Sequence, residues 1–485
     1  MRKAFCRQGR LDGSRVLDVT LNLNCRDEII PVLRALQHVY ATPQLRDEVL
    51  RRIEQDVLGQ GNPAWGRAGL DYWHILVLAA VRLGCNLDYD GLQDLAENHR
   101  NLRLIMGLGD WKDVDFSARR IRDNICLLPP KTIEAISHAV VAEGQRLVPA
   151  AIERVRADSF VIETNIHYPT DSSLIVDGVR KVIELCVPLA ETLGLEGWRQ
   201  HEQLLKGIRG VARQIDRIAA KKGPNYQARL QAAYARLLKK SGRVLARARA
   251  VCAELQKPSA GLVGISELVA LRNFIHRTDR VRDVACRRVI HGETVPNSDK
   301  LFSIFEPHTQ LYKRVKAGEP VQFGRLALVY EDAAGFIVHH HLLGRDVGDR
   351  DVALEQTRIV QARCGGQIKE LSFDRGFHSP DNQTELSAML ENLCLPKPGV
   401  KQAAQQTATA SATFHSARQR HPGIESAIGA LQSGNGLERC RDRGETGFER
   451  YLALGVLGRN LHVLGRVLIA REHPACAAGR SQRAA

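Results

Sequence analysis

Three acids occupy positions where a carboxylate could do chemistry. Asp374 closes the run Leu371-Ser-Phe-Asp-Arg-Gly-Phe-His378, in which a strand-like stretch (Ile368 to Phe373) stops on the acid and Arg375-Gly376 turns the chain. Ser379-Pro380-Asp381 then reads as a helix cap and first turn. An acid at the open end of a buried strand has a fixed backbone and room for substrate, which suits a metal ligand. Asp158 lies within Val155 to Ile166, rich in β-branched and aromatic residues and predicted to be a central strand. A charge there is costly to bury unless it is paired or binds a metal. Glu425 falls beside the apolar face Ile424, Ile428 and Leu431 of a helix predicted over Arg418–Leu431. Glu163 and Asp177 are nearby alternatives to Asp158 and read as solvent-facing acids. His339 to His341 make a poor chelate, because consecutive strand residues point to opposite faces.

The elements that must hold these acids follow from periodicity. A short strand is expected at Arg15–Leu21, then helical pattern from Asp27 to about Val148. Within it, Asp88–Leu95 and Asp115–Asn124 form two short helices, the second presenting Arg119, Arg120 and Arg122, as in a helix-turn-helix. The central strand begins at Val155. Helical pattern returns from about Ser172 to Arg288, broken at Lys222-Gly-Pro-Asn225. Leu204, Leu205, Ile208, Val211, Ile215 and Ile218 give that segment an amphipathic face. Strands are expected at Lys300–Phe305 and in a hairpin of Arg325–Tyr330 with Phe336–Leu342. A helix from Asp349 or Asp351 to Gln361, the Asp374 strand, a helix Asn382–Leu390 and a short strand Asn392–Pro396 complete the pattern. Residues 403–413 are low in complexity and read as a mobile loop or frayed helix. The last strong element is Gly447–Ala470, and the basic tail 471–485 is expected to be disordered. The fold class is therefore α/β. A helical domain over 1–150 precedes a mixed α/β domain over 151–470, with a helical insertion at about 175–288.

Composition narrows the partners. The 485 residues are 44% hydrophobic and 25% charged, ordinary for a globular chain. No run of 18 or more apolar residues occurs, so a membrane span is not expected, nor is a signal peptide. Eleven scattered cysteines without a CxxC pair argue against a zinc ribbon or disulfide framework, and for a reducing compartment. The net charge is +15, and Arg199–Ala250 holds +12 of it, with 14 Lys/Arg against Glu202 and Asp216. Such a block points to a polyanion, nucleic acid above all. Its candidate contacts include Arg209, Arg213, Arg217, Lys221, Lys222, Lys239 and Lys240.

The order of strand with Asp158, helical insertion, strands, helix, strand with Asp374 and helix with Glu425 resembles a known core. It is similar to the RNase H-like core of DDE transposases of bacterial insertion sequences, the ISNCY type in particular. The stretches that carry the likeness are Ala157-Asp-Ser-Phe-Val-Ile-Glu-Thr-Asn-Ile-His-Tyr-Pro-Thr-Asp-Ser172, Ile304-Phe-Glu-Pro-His-Thr309, Leu371-Ser-Phe-Asp-Arg-Gly-Phe377 and His421-Pro-Gly-Ile-Glu-Ser-Ala-Ile428. Gly436-Leu-Glu-Arg-Cys-Arg-Asp-Arg-Gly444 and Arg450-Tyr-Leu-Ala-Leu-Gly-Val-Leu457 extend it.

The resemblance implies that Asp158, Asp374 and Glu425 are catalytic and hold two Mg²⁺ ions, with Mn²⁺ as a substitute. It implies DNA strand cleavage at the element's ends, then 3′-OH strand transfer into target DNA. The implied partners are double-stranded DNA (terminal inverted repeats and target) and further copies of the chain on paired ends, with no membrane. The implied location is the bacterial cytoplasm, with the nucleoid. Where many related transposases carry Tyr, Arg and Lys around the final Glu, this chain has Arg418, His421 and Gln432. Arg418 and Arg420 are candidates for the DNA contact. These departures define an alternative, a catalytically decayed, transposase-derived DNA-binding protein. A structure-specific nuclease on the same fold is a third reading.

Overall fold

The computed structural model describes residues 3–5, 14–58, 69–109, 114–257, 265–313, 321–399, 406 and 411–472. Helices α1 (Ile29–Ala41), α2 (Pro43–Leu58), α3 (Tyr72–Gly84), α4 (Tyr89–Asn98), α5 (Arg100–Ile105), α6 (Ala118–Ile125) and α7 (Pro130–Leu147) precede strand β1 (Arg154–Thr164). Long helices α8 (Asp171–Thr192), α9 (His201–Lys221), α10 (Tyr226–Leu255) and α11 (Ile265–Ala285) follow. Next come β2 (Gln310–Lys313), β3 (Val321–Asp332), β4 (Ile337–Leu342), α12 (Asp349–Arg363), β5 (Glu370–Phe373), α13 (Pro380–Met389) and β6 (Asn392–Cys394). The C-terminal elements are α14 (Ala412–Arg420), α15 (Gly423–Gly429), β7 (Arg439–Cys440) and α16 (Glu445–Glu472). The fold is mixed α/β, and the chain divides into two compact units, 1–163 with 325–485, and 164–324.

In the first unit β1 is flanked by β3 and β5, with β6 beyond β5 and β4 beyond β3. The β1–β5 and β5–β6 pairs are parallel and β3–β4 is antiparallel. The expected hairpin is present. In its turn, Asp332 Oδ1 accepts from the Ala334 and Phe336 amides at 2.9 and 3.0 Å, and Gly335 takes φ +91°. Burial pushes the Asp332 carboxyl up to about 6.

The helices before residue 150 share this unit, because α1, α3 and α7 pack on α16. By length and composition alone α16 could cross a membrane, but here α1, α3 and α7 bury its apolar residues. Two glycines let the backbones meet. A Cβ at Gly458 would lie 2.8 Å from Gly84 Cα, and one at Gly465 would lie 1.8 Å from the Pro31 carbonyl oxygen. Backbone cannot yield as a side chain can, so Gly465→Ala is expected to cost about 2 kcal/mol or more. Urea denaturation checks this against Gly210→Ala on α9, where a Cβ meets nothing within 4 Å and helix propensity favours Ala by roughly 0.5–1 kcal/mol. Equal midpoints for the two variants would contradict it.

The second unit is a helical bundle. Ile208, Val211, Ile215 and Ile218 of α9 are buried as the periodicity predicts, against Leu237, Val244 and Leu245 of α10 and Val179 of α8. Thr170 and Ser173 form a reciprocal capping box at the start of α8. The break between α9 and α10 falls where expected, with Lys222 and Asn225 at φ +38° and +53°.

Two expected strands are absent among the described residues, and side chains from elsewhere take carbonyls in or beside both stretches. At Arg15–Leu21 the chain makes a 3₁₀ turn, Val16–Asp18, and Gln37 Nε2 donates to the Val16 and Val19 carbonyls at 3.0 and 2.9 Å. Lys300–Phe305 is irregular, with Arg280 Nε donating to the Asp299 carbonyl at 2.8 Å and Arg277 Nη1 to that of Ile304 at 3.0 Å. The helix expected over Arg418–Leu431 is also corrected. Pro422 breaks it into α14 and α15, and a π-helical turn, Ala430–Gly434, follows. Residues 403–405, 407–410 and 473–485 lie outside the described residues.

Candidate functional site

The register of β1 and β5 decides where two of the acids sit. Arg156 pairs with Ser372 and Ala157 with Phe373. Asp158, inside β1, and Asp374, the residue that follows β5, come next, so the two acids adjoin the point where the parallel pairing ends. Ala157, Leu371 and Phe373 are buried, and Asp158 is half-buried. Phe373 and Phe377 stack with centroids 4.9 Å apart, fixing the backbone on either side of Asp374. The chain leaves the strand at Asp374 through a 3₁₀ turn, and Ser379 caps α13 by accepting from the Asn382 amide at 3.1 Å, as expected.

Glu425 comes from α15, on the same face. Residues i and i+2 of a strand share a face, so Arg156 and Asp158 point the same way, and so do Ser372 and Asp374. His421, at the turn before α15, has Nδ1 3.1 Å from Ser372 Oγ. Burial lowers the His421 pKa; the Asp374 carboxylate opposes this, Arg156 adds to it and Glu425 opposes it. His421 thus lies within electrostatic reach of both acids. Asp374 and Glu425 are exposed, so these two acids face open space, Asp374 at the end of β5. Small-molecule sites are concave and enclosing; this open face suits an extended substrate. Among the described residues, no three His, Cys, Asp or Glu side chains form a ready-made metal cage.

The other sequence candidates have identifiable surroundings. Glu163 accepts from Arg439 Nη2 at 2.9 Å. Asp177 lies 3.6 Å from His167 and 3.7 Å from Arg180. His339 is buried between Gln356 and Arg363, at 2.9 and 3.1 Å. Arg420 donates to both Glu370 carboxylate oxygens at 2.6 and 2.8 Å, and so docks α14 on β5. Arg418 is half-buried, with Nη1 buried and without a protein hydrogen-bond partner.

Compared with known proteins, the chain matches no family model, no curated protein and no solved structure.

The basic candidates occur in both units. In the second unit, all 14 Lys/Arg of Arg199–Ala250 are exposed on α9, α10 and the loops that flank them. Arg209, Arg213, Arg217 and Lys221 recur every fourth residue and line one side of α9. Lys222 lies in the αL break, and Lys239 and Lys240 are exposed on α10. Arg249 pairs with Asp279; among the described residues no ion pair engages the four of the α9 stripe. In the first unit, Arg119 and Arg122 on α6 are exposed and lie 3.6 and 3.3 Å from Asp123, while Arg120 donates to the Asp115 carbonyl. The two short helices of the expected helix-turn-helix are α4 and α6. They pack together, but α5 lies between them in the chain, so the connection is not a short turn. Sequence reasoning missed Arg156 and Glu331; the available signal was a second charge, two residues before Asp158, in the same strand.

Proposed function

We propose that the chain is a DDE transposase of the bacterial insertion-sequence type, built on an RNase H-like core. One observation carries the reading. Asp158 and Asp374 follow the last registered pair of two parallel strands, and α15 brings Glu425 to the same face. The order of elements between them, helical insertion, strands and helix, supports it too.

The donor set fits Mg²⁺, which is commonly held by one or two carboxylates with waters and substrate phosphates completing its octahedron. Asp158 and Asp374 would hold it, with Glu425 as the third carboxylate. When bound, two such ions activate the attacking oxygen and stabilise the leaving one. Water attack on the phosphorus forms one P–O bond, breaks the P–O3′ bond and frees a 3′-OH. In the transfer step that 3′-OH is the nucleophile and a target-strand 3′-oxygen leaves. The chain's own work is to orient the scissile phosphate on the open strand end and to hold carboxylate charge there. The cations of α9 and α10 supply sequence-independent affinity for the DNA backbone.

The test is nicking of supercoiled plasmid carrying the element's own ends, with Mg²⁺ or with EDTA. Metal-dependent cleavage confined to the ends is expected. Cleavage of branched DNA without preference for ends would favour a nuclease. Binding without cleavage would favour the decayed, DNA-binding reading.

A further inference from the structure

We propose that Arg156 and Glu331 are positioning residues: an ion pair that clamps the turn before α15, and so sets where Glu425 stands relative to Asp158. The inference rests on the reading of Asp158, Asp374 and Glu425 as the reacting acids.

Arg156 projects from β1 on the face that carries Asp158, one pleat earlier. Its Nε donates to Glu331 Oε2 at 2.6 Å, and its Nη1 donates to the Arg420 carbonyl at 3.1 Å. That carbonyl belongs to the last residue of α14, where helix geometry leaves carbonyls without intrahelical donors. Gly423 opens α15 against the same guanidinium, and a Cβ there would lie 2.1 Å from Arg156 Nη1. Two independent features of the turn, a carbonyl that accepts and a residue without a side chain, are thus fitted to one arginine.

Glu331 holds that arginine in place. It sits at the end of β3 and is 2% exposed. Burying an ion pair rarely adds stability over apolar packing, because desolvation offsets the attraction. What the pair provides is direction. Glu331 fixes the guanidinium plane, leaving Nη1 aimed at the turn. Two further contacts restrict the same turn, Arg420 on Glu370 and His421 on Ser372. Arg156 is the contact that ties it to the strand of the first acid.

The experiment compares wild type with Arg156→Lys, Glu331→Gln and Gly423→Ala. Gly423→Ala keeps both partners of the pair and presses on it from the other side. Three quantities are read: amide hydrogen exchange over α15, affinity for duplex DNA, and cleavage in Mg²⁺. Exchange over α15 is expected to rise about tenfold or more while exchange in α16 is unchanged, as for local opening of one segment. Duplex affinity is expected to stay within a factor of about two, because the variants leave every exposed Lys and Arg of α9 and α10 unaltered. Cleavage is expected to fall by about 10²-fold, the scale on which small misplacement acts. The Arg156→Lys/Glu331→Gln double variant is expected to be no worse than the poorer single one. Unchanged exchange over α15 in all three variants overturns the clamp, as does cleavage that falls only in step with the folded fraction. A wild type that binds DNA and never cleaves overturns the reading of the acids instead, and the exchange measurement still judges the clamp.

Discussion

Asp374→Asn is expected to leave the protein folded and bound to DNA while cutting strand cleavage by about 10³-fold or more, on the order of 4 kcal/mol of barrier. The asymmetry comes from where Asp374 sits. It is exposed beyond the last residue of β5, so the neutral isostere disturbs little packing, and stability should change by less than about 0.5 kcal/mol. On the proposed reading, however, its charge joins that of Asp158 in holding Mg²⁺, and an amide is a weak ligand for a hard cation. Asp158→Asn and Glu425→Gln should behave alike in cleavage. Glu163→Gln is the internal control, because that acid already has Arg439 as its partner. Normal cleavage by all three acid variants would remove the assignment. Loss of cleavage in Glu163→Gln to the same degree would show that general charge on β1, rather than the pair, matters.

Replacing Arg209, Arg213, Arg217 and Lys221 with Gln should weaken DNA binding without unfolding α9. These side chains are exposed, and Gln is nearly as good a helix former as Arg or Lys. The core residues Ile208, Val211, Ile215 and Ile218 are untouched. Each phosphate that is no longer neutralised lowers the salt slope by about 0.9, so four of them lower it by up to roughly 3.6, with affinity at 0.1 M salt falling by as much as about 10³-fold. The measurement is Kd for duplex DNA across a salt series. A slope unchanged from wild type would mean that the stripe faces water alone, and that DNA affinity comes from elsewhere, with Arg119 and Arg122 on α6 the next residues to test.

Much of this was legible because local rules agreed with one another. Ser379-Pro380 announces a cap, Lys222-Gly-Pro-Asn225 announces a break, and the hairpin around Gly335 carries its own turn chemistry. Asp158 stood out because a charge conflicts with a strand's burial, and Asp374 because an acid ends a strand-like run just before a glycine turn. The misses have a common cause. At Lys300–Phe305 the residue types suit a strand, but Arg277 of α11 takes the Ile304 carbonyl and Arg280 that of Asp299 just before the stretch. At Arg15–Leu21 a glutamine from α1 does the same. Strand propensity describes side chains, whereas pairing depends on which donors arrive from distant parts of the chain. Arg156 and Glu331 show the same limit in the site itself. They are 175 residues apart, and nothing local ties one to the other.

The break at Pro422 leaves Glu425 in the first turn of a short helical segment, seven α-helical residues that run on into the π turn Ala430–Gly434. A segment that short has little helical stability of its own and holds its shape only while it is docked. Asp158, by contrast, belongs to the sheet, and Asp374 follows β5 directly, so both are held by the sheet's cooperativity. Chemistry and architecture in this protein therefore have separate points of failure. Substitutions in the turn at 420–423 could silence a copy and leave its sheet, its α16 core and its basic helices intact. On the proposed reading, such a copy would still fold and still occupy DNA, and so would compete with active copies for the same ends. A transposase of this design would then have a route to its own repressor that needs only small changes around one short helix.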